Sequence, residues 1–116
     1  MRLAMMLGNL LVVVVAAGCA SSPPLNTESS TSAIRGAEEV GADAVPLASY
    51  HLELAKGELA AAQTLAKDGE KDKAASLLLR AEVDAELAIL LSREQAEILR
   101  ATEAMERVRQ LQRDNQ

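Results

Sequence analysis

The chain has no phenylalanine and no tryptophan, one tyrosine (Tyr50), one histidine (His51) and one cysteine (Cys19) among its 116 residues. A lone cysteine excludes an internal disulfide as a staple for a small fold. A lone histidine leaves no cluster of imidazoles for a transition metal. Basic charge is also short, with 12 Lys and Arg against 17 Asp and Glu. Nucleic-acid binding needs clustered positive charge, so it is not expected here, nor is a polybasic grip on anionic lipid. The chain holds no glycine-rich phosphate loop.

Cys19 follows Ala16-Ala17-Gly18 at the end of a run, Leu3 to Ala17, made mostly of Leu, Val, Met and Ala behind Met1-Arg2. That run is shorter than the ~20 apolar residues of a spanning helix. A basic start, an apolar stretch and small residues before a cleavage point define a secretory signal peptide. Its last four residues resemble the lipobox of bacterial lipoproteins, although Ala16 stands where leucine is usual. The resemblance implies that residues 1–18 are removed and that Cys19 is the lipidation site, carrying fatty acyl chains such as palmitate. Two or more such chains anchor a protein stably, whereas one does so only marginally. Ala20 stands where an aspartate tends to retain lipoproteins in the inner membrane. The expected location is therefore the outer membrane, facing the periplasm. Processing would leave 98 residues with 11 basic and 17 acidic side chains, a charge of about −6.

Ala20 to Ser32 is rich in Ser, Thr, Pro and Asn and has no apolar period. Residues 19–32 are expected to be a lipidated flexible tether, with Thr27 to Ser32 offering several helix N-caps. From Ala33 onward Ala, Leu, Glu, Lys, Gln and Arg dominate, all strong helix formers. Ile34, Ala37, Gly41, Ala44, Ala48, Leu52, Ala55, Leu59, Ala62 and Ala66 recur at spacings of three and four, an a/d heptad seam. Lys67-Asp68-Gly69-Glu70 is the strongest turn signal: Gly69 suits the left-handed end of one helix, and Asp68 is a candidate cap for the next. A second seam then runs through Ala74, Leu78, Ala81, Ala85, Ala88, Leu91, Gln95, Ile98, Thr102 and Met105.

Folding back about Gly69 sets Ala62 opposite Ala74, Leu59 opposite Leu78, Leu52 opposite Ala85 and Ala48 opposite Ala88. The same register brings Ala37 near Ile98 and Leu99. The predicted fold is all-α: a long antiparallel helical hairpin, coiled-coil-like, over residues 33–112, with its turn near 67–70 and a frayed tail at 113–116. Arms of ~35–43 residues would make a rod of ~50–65 Å. Pro46 interrupts the first arm, since proline inside a helix costs about 3 kcal/mol. Either that arm kinks at Val45-Pro46, or a new helix starts at Pro46 and the preceding residues form a short third helix. Leu47, Leu54, Leu87, Leu90 and Val108 lie outside the two seams. A two-helix rod cannot bury them, so a third helix, a second copy or a partner is expected to cover them.

Ala44-Val45-Pro46-Leu47, Leu54-Ala55-Lys56-Gly57-Glu58-Leu59 and Asp84-Ala85-Glu86-Leu87-Ala88 resemble a bacterial lipoprotein family known only as domain of unknown function 4398. The resemblance spans Ile34 to Glu97. It implies a lipidated or periplasmic helical protein and transfers no activity to any residue.

Candidate chemistry is sparse. His51 beside Tyr50 would need a nucleophile or a carboxylate partner to act as a base, and reads better as a helix-surface residue. Glu38-Glu39 and Glu82, Asp84 and Glu86 have no His or Cys nearby and read as solvated faces rather than metal ligands. No catalytic, cofactor-binding or metal residues are expected, and the chain is read as non-enzymatic. Arg93, Arg100 and Arg107 recur every seven residues, and Glu103 precedes Arg107 by four, the favourable order for a helix pair. The expected role is that of a periplasmic scaffold or spacer. The alternative is a single helix-pair module, akin to one tetratricopeptide-type repeat, serving as an accessory subunit or contacting peptidoglycan. Its expected partners are the membrane through acylated Cys19, a second copy, or an envelope protein.

Overall fold

The structure is a computed structural model and describes residues 25–116. The signal peptide expected at 1–18, Cys19 and the tether residues up to Pro24 lie outside the described residues. Three α-helices follow: α1 (Glu28–Glu39), α2 (Pro46–Lys67) and α3 (Lys71–Asp114), with a 3₁₀ turn at Ala42–Ala44. Among the described residues there is no strand. The all-α helical hairpin is α2 with α3, and α1 is a third helix laid against it.

Helix α1 starts five residues before the expected end of the tether. The N–H of Glu28 donates to Asn26 Oδ1 at 2.9 Å, and the Ser30 hydroxyl donates to the Thr27 carbonyl at 3.1 Å. These local bonds satisfy a polar first turn that has no apolar period to announce it. Ser30 is buried there, as are Ile34 and Ala37 farther along. The helix ends at Gly41, whose φ of 75° is left-handed, and the Gly41 N–H closes onto Glu38 O at 3.0 Å. A glycine takes that conformation without Cβ strain.

Pro46 breaks the first arm rather than kinking it. Val45 is extended, as the residue before proline prefers, and Pro46 occupies the first turn of α2, where its missing N–H has no intrahelical partner to lose. The Ser49 N–H donates to Val45 O at 2.8 Å and begins the helical ladder. The continuous first seam from Ile34 to Ala66 is therefore not formed. Instead α1 doubles back and runs parallel to α3: Leu25, just before α1, packs with Ala74 and Leu78, and a Cβ on Gly36 would sit 3.4 Å from Ile89 Cδ1. Ala37 packs in a cluster with Ala48, Leu52, Ala85 and Ala88, not beside Ile98 or Leu99.

The α2–α3 connection is the predicted turn. The Glu70 N–H donates to Leu65 O at 2.9 Å and the Gly69 N–H to Ala66 O at 3.2 Å, the two bonds of a Schellman motif around Gly69 at φ 82°. Asp68 closes α2 instead of capping α3, and Glu70 takes the N-cap position. The predicted seam is observed: Ala48, Leu52, Ala55 and Ala62 are buried against Ala74, Leu78, Ala81, Ala85 and Ala88.

Burial along α3 stops at Ser92. Arg93 to Asp114 contains no buried residue, so Gln95, Ile98, Thr102 and Met105 of the expected second seam face solvent. Because the first arm turns at Gly41, nothing among the described residues extends alongside them. The last 22 residues of α3 project as a single helix of about 33 Å. Helix persists to Asp114, two residues into the expected tail.

Leu52 is the largest fully buried apolar side chain. Leu52→Ala should destabilise the bundle by about 2–5 kcal/mol, whereas Leu99→Ala on the projecting helix should change stability by less than about 0.5 kcal/mol. Thermal unfolding followed by circular dichroism separates the two.

Candidate functional site

Two features stand out from the alanine seam: a polar ladder between α2 and α3, and the projecting half of α3, here called the arm. The hairpin register builds the ladder. With Leu52 opposite Ala85, His51 comes to Asp84, and its Nδ1 lies 2.8 Å from Asp84 Oδ1. Both side chains are about one-fifth exposed. Tyr50 meets the imidazole edge-on, ring centroids 5.3 Å apart. His51 thus has a carboxylate partner that its sequence neighbours did not reveal. The complementary register signal was present, because the seam fixes which residues face each other on either side of it.

One to two turns along, Glu58 is buried. Arg80 Nη2 lies 2.6 Å from Glu58 Oε1, yet neither carboxylate oxygen has hydrogen-bonding geometry to a partner among the described residues, so the contact is a Coulombic pair. Burial pushes the Glu58 carboxyl above its ordinary value and the nearby Asp84 adds to that, with Arg80 opposing both. Lys56 joins α2 to α1 by a 2.9 Å ion pair with Glu38, and also reaches Glu53 at 3.3 Å. Glu38, then Glu53, raise the Lys56 ammonium above its usual value against a smaller opposing effect of burial.

The acidic run that sequence offered as imaginable ligands is split between faces. Glu82 and Glu86 border α1, while Asp84 faces His51 on α2. Among the described residues no group of three or more His, Cys, Asp or Glu side chains is arranged to hold a metal. The ladder thus flanks the seam with polar pairs, His51 with Asp84 and Glu58 with Arg80, that join α2 to α3.

The arm carries Arg93, Arg100 and Arg107 on one side. Arg100 pairs with Glu97, while Arg109 and Arg113 both reach Glu106 at 3.3 Å. The expected Glu103–Arg107 contact is not formed. Ile98, Leu99, Met105, Val108 and Leu111 are each more than half exposed. Among the described residues no helix is long and apolar enough to cross a membrane.

The family model for a domain of unknown function, DUF4398, matches residues 26–104. The chain belongs to the DUF4398 family. The matched DUF4398 segment takes in α1, the whole α2–α3 seam, the polar ladder and the first half of the arm. No curated protein and no solved structure matches the chain.

Glu58 supplies a pH test. A carboxyl raised in the folded state is charged at an energetic disadvantage relative to the unfolded chain, so stability falls as pH rises from its ordinary value through the raised one. Glu58→Gln should therefore raise the melting temperature at neutral pH, and the difference from the parent should vanish as pH falls below the ordinary carboxylate range. A parent chain that is the more stable at pH 7 would contradict this.

Proposed function

We propose that this DUF4398 protein is a lipoprotein of the bacterial outer membrane, held through acylated Cys19 and facing the periplasm, where it acts as a non-enzymatic helical scaffold. The observation that carries the reading is the arm. Leu25 lies beside Lys71 and Asp72 at the start of α3, so the N-terminal end of the bundle is opposite the projecting helix. Attachment at the N-terminal end leaves the arm free to reach a partner. The apolar run ending in Ala16-Ala17-Gly18-Cys19 supports the anchor, and the Ser- and Pro-rich residues after it suit a tether. The family's description assigns no activity, and the His51–Asp84 pair lies within the helix seam, where its role is structural.

Cys19→Ser tests the anchor. The variant should leave the membrane fraction and lack the mass of the acyl chains; an unchanged mass and fractionation would refute it. A second reading is favoured by Arg93, Arg100 and Arg107, whose side of the arm suits an acidic envelope partner or anionic peptidoglycan. In that case replacing all three by alanine should abolish sedimentation with isolated peptidoglycan, while binding that survives the replacement would dismiss this reading.

A further inference from the structure

We infer that the arm binds the arm of a second copy, side by side and antiparallel. The inference rests on the scaffold reading in one respect, that the arm is the docking element, and names its occupant. Three observations carry it.

The first is the shape of the arm's surface. Ile98, Ala101, Ala104, Met105, Val108 and Leu111 fall at successive spacings of three, three, one, three and three, which places them on one face of the helix. No charged residue interrupts that face between Ile98 and Leu111. An isolated helix of this length is marginal in water, and its stability normally comes from packing an apolar face. Antiparallel pairing about residue 103 sets Ile98 against Val108 of the second copy and the small Ala101 against Met105, so apolar side chains face one another on both sides of the two-fold axis.

The second is charge. Residues 25–92 hold 6 basic and 12 acidic side chains, whereas residues 93–116 hold 5 of each. Two bundles repel one another, while two arms do not. Antiparallel arms keep the acidic bundles at opposite ends, and parallel arms would press them together. The third is that the arm's charges balance in sign, and half of them pair within it, as Arg100–Glu97, Arg109–Glu106 and Arg113–Glu106. It therefore exerts little net field on a partner of either sign. A neutral, self-complementary surface closes isologously on a copy of itself. The N-terminal ends of the two bundles then stand about 95 Å apart, at the two tips of one rod.

Light scattering of the full-length protein in detergent reads the stoichiometry, and does so whether or not Cys19 is acylated. Two copies are expected, with Met105→Glu/Val108→Glu halving the mass while the bundle still unfolds cooperatively. A monomeric parent, or a dimer that survives both substitutions, would overturn the inference. Orientation is read in full chains carrying Cys19→Ser, so that no second thiol competes. Mixing Ala101→Cys with Met105→Cys chains should give the mixed disulfide at least tenfold faster than either homodisulfide. Faster homodisulfides would mean parallel arms and overturn the antiparallel pairing.

Discussion

Everything in this fold depends on how closely α2 and α3 approach along a seam of alanines. Ala48, Ala55 and Ala62 on one side and Ala74, Ala81, Ala85 and Ala88 on the other have no exposed surface at all. Small side chains bring helix axes toward the short end of their usual separation. They also bury little apolar area, and stabilisation scales with that area at roughly 25 cal/mol per Å². A hairpin built this way is lean. Helix α1 adds what the seam lacks, placing Ile34 and Ala37 over Ala48, Leu52, Ala85 and Ala88 to thicken the core at one level of the rod.

The same close approach explains the polar ladder. Where two helices nearly touch, the residues flanking the seam are forced together and must be compatible in charge. His51 meets Asp84 in a hydrogen-bonded contact, and Glu58 meets Arg80 as an opposite-sign pair, both at the register the alanines impose. Slipping the register by one turn would separate both pairs and set alanine against bulkier neighbours. Glu58 is the desolvated member, and burial pushes its carboxyl above its ordinary value despite the nearby Arg80.

Lean packing also accounts for the arm. The core has a fixed supply of partner helix, and the turn at Gly41 spends twelve residues of α1 on the side of the bundle instead of along the end of α3. A long α3 is thereby left half covered. The exposed half differs in character from the covered half: its charge sums to zero, and its apolar face is rotated away from the buried seam, whose line continues through Gln95, Leu99, Thr102 and Glu106. A sequence that merely frayed would not maintain an apolar face over four turns.

Helix content, the Gly69 turn and the pairing of Leu52 with Ala85 and Ala48 with Ala88 were legible because each depends on local periodicity and backbone permission. Pro46 showed where the first arm must change, but two outcomes satisfied it, and the difference lay in whether Gly41 adopted the left-handed conformation. The start of α1 was missed because a polar turn held by Asn26, Thr27 and Ser30 has the composition of a tether. His51–Asp84 was missed because it joins residues 33 apart that become neighbours only after the hairpin closes.

The sequence by itself thus determined the class of fold, the position of the hairpin turn, the register of its seam and the residues at which the chain must break. These are short-range matters of propensity, spacing and φ preference. Tertiary structure alone decided that α1 returns along α3, which charges meet, and that the last 22 residues of α3 stand uncovered. Those outcomes turn on which of several apolar stripes wins a limited amount of partner surface, a competition that no window along the chain contains.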